Sequence, residues 1–475
     1  MTFFQTTPPP SRRAFFSTAG KLTAAGALTG LGSVAGSAAA ATPAACPPAS
    51  AALAAPGGAP YLLTRVRLED GFEYDGGKVI DTRTALYTLE IRDGKIARIL
   101  PQGTPLAGAL PRYDAQGMLL LPALRDMHTH LDKTFYGEPW QAPRRGKTIV
   151  DMIEIEKKLI PKLLPGSQAR AEKVIALMHS KGTTIARSHC NIDPVSGLKS
   201  LEHLQLALAR HRDSLSCEIV AFPQHGLLRA SIEPLMREAV QMGVQYIGGL
   251  DPTNVDTSME KSLDTTFRIA LDTGAGIDFH LHEAAPAGLA AVNYIIRQVE
   301  ENPQLRGKVT ISHAFVLATL DDGLVDELAG RMAAQKMSIA STLPLGKGVM
   351  PLPQLAEKGV FVMTGTDSIT DHWLPFGTGD MLEKANLYAQ LYRKLDEFQL
   401  SRSLAIATGN VLPLNAQGQR AWPLPGDSAS GVLVAASCSA EAVARLPARA
   451  AVFHDGRIVY GGLKKEVAAK TGAAG

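Results

Sequence analysis

The chain has 475 residues, of which 45% are hydrophobic and 20% charged, and this composition is typical of a globular protein with one large domain and a smaller one. The formal net charge is +3, and Arg12, Arg13 and Lys21 account for all of this excess, because residues 1–41 contain no acidic side chain. The rest of the chain is balanced and carries no stripe of Lys and Arg with interleaved aromatic residues, which excludes nucleic acid as an expected partner.

Residues 1–41 have the features of a secretion signal. Arg12-Arg13 is followed by two phenylalanines, a weakly apolar segment rich in Ala, Gly and Leu, and a run of small residues. This order resembles a twin-arginine export signal, whose receptor reads the arginine pair. The segment is a poor membrane anchor, since an anchor needs about 20 strongly apolar residues. We predict export to the periplasm, with no membrane association after cleavage; an uncleaved anchor and a fortuitous arginine pair are the alternatives.

Residues 42–59 are rich in Pro, Ala and Gly and are predicted to form a linker. The four cysteines, Cys46, Cys190, Cys217 and Cys438, are widely spaced and form no CxxC pair, which argues against a thiolate zinc site. The sequence leaves open whether any of them form a periplasmic disulfide. Lipid modification of Cys46 is not expected, because no large aliphatic residue stands three positions before it.

Short apolar runs of strand length, separated by turn signals, occupy both ends of the chain. The turns Asp93-Gly94 and Asp455-Gly456 are strong β-hairpin signals. The runs lie at 61–68, 85–100, 117–124, 431–436 and 450–462. We therefore predict a small β-sandwich domain built from both chain ends, residues 60–120 and 416–465.

The middle of the chain, residues 121–415, has a different pattern. Apolar runs of strand length alternate there with longer stretches of helical periodicity, and continuous apolar runs are typical of parallel strands buried on both faces. Eight such units over about 290 residues match a (β/α)8 TIM barrel. The runs lie at 121–130, 183–190, 217–224, 246–250, 276–283, 309–315, 337–344 and 360–367.

A pair of histidines, His128 and His130, ends the first run of the predicted barrel. Alternate residues of a strand share a face, so both imidazoles can point at one metal ion. An isolated pair of this kind fits ordinary polar residues at a strand end equally well. The decision between the two interpretations therefore depends on the other strand ends.

Histidines and acidic residues also end four other predicted strands. Because the active sites of TIM barrels lie at the C-terminal ends of the strands, we expect these side chains to converge. They are His189 on the second strand, His280, His282 and Glu283 on the fifth, His313 on the sixth and Asp367 on the eighth.

A site of three neutral imidazoles and one carboxylate suits one divalent ion per chain, Zn²⁺ or Fe²⁺, with Mn²⁺ a further candidate, and leaves an open position for water. Such an ion lowers the pKa of its bound water towards about 7. Glu283 and His313 are then candidates for shuttling protons.

Five motifs in order resemble the amidohydrolase superfamily, and within it the cytosine deaminase branch, over roughly residues 60–465: HTHLDKTF, IVAFPQHGLL, IDFHLHE, TISHAF and GTDSITDHWLPFGTGDML. The resemblance implies the barrel fold, hydrolysis of a carbon–nitrogen bond and a metal centre. It also implies roles for single residues: metal ligands His128, His130, His280 and Asp367; proton shuttle Glu283; His313 orienting or activating the hydrolytic water; and substrate contacts Gln224 and Trp373. In the reaction path that we predict, Asp367 is also catalytic, because it accepts the hydroxyl proton and helps to deliver it to the leaving amine.

Some positions depart from the pattern of the branch. The fourth strand has no lysine, so one metal ion is expected rather than a bridged pair, and Lys133 is a loop residue or a substrate contact. Ser368 stands where the cytosine enzyme has a second aspartate, and His225 stands where it has a glutamate. Both lie in predicted substrate-facing segments, and losing carboxylate acceptors changes which edge of a ring is recognised. Cytosine itself is therefore not the expected substrate, and Ser368 is predicted to contact the true one.

We predict a metal-dependent hydrolase that attacks a C–N bond of a small cyclic or heteroaromatic compound, with deamination and ammonia release as the leading reaction. Hydrolysis of a cyclic amide or an N-alkylamine on the same site is the first alternative. The second is a binding protein that has lost catalysis. The chain has no G-x-S-x-G or P-loop motif, which leaves serine-hydrolase and NTPase functions unsupported. A homo-oligomer is expected.

Overall fold

The structure is a computed structural model that describes residues 59–466 except 107, 109 and 347. The predicted export signal, almost all of the predicted linker and Cys46 lie outside these residues. Within the described part, the three cysteines Cys190, Cys217 and Cys438 are not disulfide-bonded. No helix among the described residues is both long enough and apolar enough to cross a membrane.

The N-terminal strands are built from β-branched, aromatic and leucine residues, with turns that match their sequence signals. Gly76 and Gly77 both have positive φ, at 53° and 80°, and so do Asp93 and Gly94, at 52° and 73°. Positive φ at both central residues is what a type I′ hairpin requires. The strands are β1 (Tyr61–Asp75), β2 (Lys78–Arg92), β3 (Lys95–Pro101), β4 (Arg112–Asp114) and β5 (Leu119–Pro122).

Eight parallel strands follow and form the predicted barrel, each from one of the eight predicted runs. They pair in chain order, so each strand lies beside the next one along the chain. They are β6 (Leu124–Thr129), β7 (Thr183–Asn191), β8 (Ser216–Phe222), β9 (Tyr246–Leu250), β10 (Gly276–Leu281), β11 (Val309–His313), β12 (Ser338–Ser341) and β13 (Phe361–Thr364). The TIM-barrel prediction is therefore confirmed.

The barrel closes between β6 and the end of β13 through the backbone of Asp367. The Asp367 N–H donates to the His128 carbonyl over 2.7 Å, and the His130 N–H donates to the Asp367 carbonyl over 3.1 Å. Gly365 makes this approach possible, because a Cβ at that position would lie 2.3 Å from the His128 carbonyl oxygen. The backbone hydrogen bonds that close the barrel are thus made by three of the predicted ligands, His128, His130 and Asp367.

Helices cover the barrel and connect its strands. The helix α1 begins with a capping box, in which the Thr148 hydroxyl accepts from the Asp151 N–H and the Asp151 carboxylate accepts in return from the Thr148 N–H. The helices are α1 (Ile149–Leu163), α2 (Ser167–Ser180), α3 (Lys199–Arg210), α4 (Leu227–Ala230), α5 (Glu233–Gln241), α6 (Met259–Thr273), α7 (Ala287–Glu301), α8 (Asp322–Ala334), α9 (Leu352–Glu357), α10 (Met381–Leu391), α11 (Glu397–Ser403), α12 (Ala405–Thr408) and α13 (Ser439–Arg445).

The C-terminal strands return to the sheet of the N-terminal ones. They are β14 (Gly431–Val434), β15 (Arg449–His454), β16 (Arg457–Gly461) and β17 (Lys464–Lys465). Strand β14 pairs antiparallel with β5, and β17 pairs with β4, so the nine strands form one continuous mixed sheet. Its apolar core includes Leu89 and Leu433, both fully buried. Strands from both chain ends therefore form one β-rich domain beside the barrel, as expected, with its strands in one continuous sheet; the bounds 60–120 and 416–465 stay a prediction.

Candidate active site

The predicted ligands lie at the C-terminal ends of the barrel strands, close to one another. His128 is in β6, His130 follows it, and His280 is in β10. Asp367 follows β13 with φ at 63°, and His313 ends β11 with φ at 66°. Left-handed conformations are costly for such residues and are concentrated at functional sites, because the surrounding structure must hold them in place.

One side-chain atom of each of the four predicted ligands lies within 3.5 Å of an atom of another predicted ligand. Asp367 Oδ1 lies 3.5 Å from His128 Nε2 and 3.4 Å from His130 Nε2. His280 Nε2 lies 3.4 Å from His130 Nε2. Donor atoms placed in a tetrahedron about 2.1 Å from one ion are about 3.4 Å apart. The spacing of His128, His130 and Asp367 therefore fits a single divalent metal ion, and His280 lies at a similar distance from His130.

The positions of the protons on His128 and His130 also favour a bound metal ion. Asp278 accepts the hydroxyl proton of Ser312 over 2.6 Å, so the Ser312 oxygen can only accept from His128 Nδ1, 2.9 Å away. His130 Nδ1 likewise donates to the His189 carbonyl over 3.1 Å. Both Nε2 atoms then carry lone pairs and face the Asp367 carboxylate. Three acceptors this close repel one another unless a cation lies between them.

Burial keeps the imidazoles neutral, as metal ligands must be. It lowers the pKa of His130 to about 3. It also holds the pKa of His280 and His313 well below the usual range. Because an uncharged imidazole offers a lone pair at neutral pH, these side chains are ready to bind a metal without first losing a proton.

His189 belongs to the same cluster, although the motif pattern gave it no role. Its ring lies 4.2 Å from that of His128 and 4.5 Å from that of His280, centroid to centroid, and neither of its nitrogens has a hydrogen-bond partner. The cluster therefore offers two overlapping groups of candidate metal-binding residues: His128, His189 and His280, and His128, His130 and Asp367.

A network behind His128 was not found from the sequence. Arg187 donates to Asp278 over 2.8 Å, and Asp278 in turn orients Ser312. One signal for Asp278 exists, because it stands two residues before His280 in β10 and so shares its face of the strand. Ser312 and Arg187 become recognisable only when the register of β7, β10 and β11 is known.

A cavity of about 280 Å³ opens beside the cluster. Among the sequence-predicted residues, its lining includes His130, Gln224, His280, His313, Asp367, Ser368 and Trp373, and it also includes Lys133 and Phe222. The predicted substrate residues Gln224, Ser368 and Trp373 therefore share one cavity with the predicted metal ligands. Its volume suits a single ring with small substituents.

Glu283 is not among the residues that line this cavity. Its Oε1 accepts the backbone N–H groups of Thr253 and Asn254, over 2.8 and 2.6 Å. Its Oε2 is buried without a partner. Burial raises the pKa of this carboxyl, which favours its holding a proton nearer to neutral pH.

His225 does not line the cavity either, although its segment was predicted to face the substrate. The ring is buried, with Nδ1 3.7 Å from the carboxylate of Asp193. Lys133, in contrast, is buried in the wall of the cavity, and its Nζ donates to Gln224 Oε1 over 2.5 Å. Of the two open interpretations of Lys133, the structure thus favours a role in the substrate cavity.

Comparison with known proteins agrees with this fold and site. The profile of the "Amidohydrolase family" matches residues 155–460. The Escherichia coli K12 protein YahJ is 58% identical over 453 residues, which cover 95% of this chain and 98% of YahJ. N-isopropylammelide isopropyl amidohydrolase from Pseudomonas sp. strain ADP is 30% identical and is covered over 70% of its length, by 58% of this chain.

A solved structure is similar as well. N-isopropylammelide isopropylaminohydrolase from Burkholderia multivorans ATCC 17616 superposes with a TM-score of 0.75 at 31% identity, over 85% of this chain and 100% of that one. The chain belongs to the amidohydrolase family. It is accordingly a hydrolase of non-peptide carbon–nitrogen bonds.

Proposed function

We propose that the protein is a metal-dependent aminohydrolase that cleaves an exocyclic C–N bond of a small nitrogen heterocycle and releases ammonia. The observation that carries the proposal is that His128 Nε2 and His130 Nε2 both lie within 3.5 Å of Asp367 Oδ1, beside a ring-sized cavity. A divalent ion, Zn²⁺ or Fe²⁺, bound there would supply Lewis acidity and a water of lowered pKa.

The side chains of the site would divide the remaining work. Asp367 accepts the proton of the attacking water and passes it to the departing amine. Glu283 donates a proton to a ring nitrogen, which makes the neighbouring carbon a better electrophile, and it takes a proton back from the new hydroxyl group when the product carbonyl forms. The raised pKa of this carboxyl favours the role, for which the side chain must turn from the Thr253 and Asn254 N–H groups towards the cavity. His313, which lines the cavity and has no hydrogen-bond partner on either ring nitrogen, orients the water.

Release of an alkylamine instead of ammonia is the second candidate function. It is favoured by the relatives at 30% and 31% identity, whose names describe removal of an isopropyl amine group from an ammelide. The same proton transfers would serve both reactions, because only the substituent on the leaving nitrogen differs.

A screen of the purified, metal-loaded protein tests these proposals. The panel contains aminopyrimidines, aminotriazines, pterins, N-alkylaminotriazines and cyclic amides. We expect released ammonia and a product in which one oxygen replaces one nitrogen. An alkylamine in place of ammonia would support the second candidate, and simple addition of water would indicate ring opening of a cyclic amide.

The matched control for this screen is Glu283→Gln, which keeps the size of the side chain and removes the proton donor. We expect it to retain the metal and to lose turnover. If the metal-loaded wild type turns over no compound of the panel, the proposal fails and a binding function gains support.

We further propose that the protein acts in the periplasm after export by the twin-arginine route. This route carries folded proteins, which suits a chain that acquires a metal as it folds. Changing Arg12 and Arg13 to lysine is expected to leave the precursor in the cytoplasm, as measured by fractionation and immunoblotting. The same change at Arg144 and Arg145, an arginine pair outside the signal, is the control. Normal periplasmic accumulation of the first variant would contradict the proposal.

A further inference from the structure

A second cavity, of about 580 Å³, lies between the outer wall of the barrel and the β-domain, and it is called the interdomain cavity below. On the barrel side it is lined by Arg125, Ile185 and Ser216, which are neighbours in register across β6, β7 and β8. These residues belong to the N-terminal halves of their strands, whereas the predicted metal ligands lie at the C-terminal ends. No described residue lines both this cavity and the substrate cavity. The interdomain cavity is therefore a separate place on the molecule.

Arg125 brings a positive charge to the interdomain cavity. Because alternate residues of a strand point to opposite faces, its side chain leaves the barrel on the face away from His128. The guanidinium is half-buried, and its Nε is enclosed without a hydrogen-bond partner. Among the described residues, none accepts a hydrogen bond from this guanidinium or forms a salt bridge with it. The charge of Arg125 is therefore unpaired.

The charged side chain that acts most on Arg125 is Glu218 in β8, but Glu218 is already paired. Its Oε2 accepts hydrogen bonds from Nε and Nη2 of Arg187, over 2.9 and 2.8 Å. Burial lowers the pKa of the Arg125 guanidinium, because the charge loses part of its hydration there. A half-buried cation without a partner is unfavourable, and an anion in the cavity would compensate it.

The remaining barrel-side wall suits a molecule with an apolar part. Ile185, Leu412 and the buried ring of Trp422 line this wall and offer apolar contact. Gly409 lies against Arg125, and a Cβ at Gly409 would be 2.9 Å from Arg125 Cδ and 3.1 Å from its Nη1. The backbone at Gly409 therefore packs on the guanidinium and fixes its position beside the apolar wall.

The β-domain contributes polar groups to the opposite wall. His454 is only 5% exposed, and its Nδ1 has no hydrogen-bond partner. Asp427 and Asp455 also line the cavity. The first accepts the Leu424 N–H and the second accepts the Ser428 hydroxyl, both over 2.7 Å. Two carboxylates repel an anion, so they direct the charged end of a ligand away from this wall and towards Arg125.

We infer that the interdomain cavity is a second binding site, which takes a small organic carboxylate with an apolar ring or chain. The carboxylate pairs with Arg125, since the planar guanidinium presents N–H groups that match two carboxylate oxygens. The apolar part lies along Ile185 and Trp422. A molecule with an anionic group at each end is rejected by Asp427 and Asp455. This inference does not depend on the proposed function of the substrate cavity.

Benzoate, benzamide and terephthalate test the inference, because they share one ring and differ in charge. Benzamide has no charge, and terephthalate carries a second carboxylate at the opposite end of the ring. Isothermal titration calorimetry on the metal-loaded wild type is expected to give at least about tenfold tighter binding for benzoate than for either of the others. Benzamide or terephthalate binding as tightly as benzoate would overturn the inference.

The variant Arg125→Met shows whether this arginine holds the carboxylate. It keeps part of the apolar stem, removes the charge and is expected to weaken benzoate binding at least about tenfold. Because the lost charge has no partner, the variant should unfold at a temperature equal to or above that of the wild type. Arg445→Met, at a site 77% exposed, is the matched control and should bind benzoate like the wild type. Unchanged benzoate affinity in Arg125→Met, or a clearly lower unfolding temperature, would overturn the inference.

A crystal structure of the wild type with 4-bromobenzoate locates the ligand directly, because the anomalous signal of bromine marks the ring. We expect the bromine in the interdomain cavity and the carboxylate on Arg125. Bromine found only in the substrate cavity would overturn the inference. This measurement needs no variant, so it stays available if Arg125→Met fails to fold. None of these measurements uses turnover, so failure of the proposed function would leave their outcome unaffected.

Discussion

The two sheets of the molecule bury different kinds of side chain. The mixed sheet of the β-domain encloses apolar side chains, among them Leu89 and Leu433, which are fully buried. The barrel, in contrast, buries His128, Asp278 and Ser312 at its centre, also with no exposure. Apolar burial stabilises a fold, whereas buried polar groups do so only when each finds its partner. The comparison teaches that the β-domain contributes stability and the barrel centre contributes the site.

The largest effect is expected where the site itself is broken. His128→Ala removes one ligand of the predicted set and should lower activity by about 10³-fold or more, together with loss of the bound metal. Activity assays and elemental analysis of protein purified without chelator measure both. The circular dichroism spectrum should stay that of the folded protein. Full retention of metal and activity would contradict the assignment of His128.

A substitution in the core of the β-domain is expected to lower the stability of the protein and to leave its catalytic activity unchanged. Leu433→Ala in β14 leaves a cavity in the β-domain core and should lower the free energy of unfolding by about 2–5 kcal/mol. Urea unfolding measures this loss, and kcat per folded molecule should not change. Leu395→Ala, at a site 69% exposed, is the control and should stay within about 0.5 kcal/mol of the wild type. A large loss of kcat in the β14 variant would show that the two sheets do not divide these roles.

An intermediate effect is expected behind the ligands. Ser312→Ala removes the group that accepts from His128 Nδ1, so the ring loses its fixed tautomer and orientation. Metal affinity should fall by about 10- to 100-fold, as measured by competition with a chelator. Ser338→Ala in β12, outside this network, should leave the affinity unchanged. If both serine variants bind metal like the wild type, Ser312 does not position His128.

The smallest effect concerns a polar contact in the β-domain. The Tyr61 hydroxyl donates to the Gly456 carbonyl over 2.8 Å, across the two chain ends. Tyr61→Phe should therefore lower the free energy of unfolding by about 0.5–1.5 kcal/mol and leave activity unchanged. Thermal and urea unfolding are the measurements, with Tyr460→Phe at a 41% exposed position as the control. A stability equal to that of the wild type would mean that water replaces this contact.

The strands and turns of both sheets could be predicted because their signals are local. Each barrel strand came from one apolar run, and the hairpin at Asp93-Gly94 came from two residues that tolerate positive φ. The predicted ligands were recognisable because they stand at the ends of those runs. Their membership of one metal centre remains a prediction, which the distances at Asp367 support.

The supporting contacts could not be predicted because they join residues far apart in the chain. The bond between His128 and Ser312 depends on how β6 and β11 face each other across the barrel, and no run of sequence records that. The same holds for Lys133 and Gln224, whose contact links two loops. The position of His225, behind the cavity rather than in its wall, was missed for this reason.

The position of Asp367 late in the chain means that the barrel can close only near the end of protein synthesis, because the backbone of Asp367 makes the closing hydrogen bonds. The ribosome makes His128 and His130 early and Asp367 only after seven further strands. Until then neither the backbone hydrogen bonds that close the barrel nor the fourth predicted metal ligand exists. A nascent chain that has been synthesised only as far as β12 is therefore expected to lack the complete predicted ligand set. We therefore expect metal loading at the predicted ligand set to be restricted to finished molecules, and a chain truncated before Gly365 to have an open barrel and no ion bound by this set.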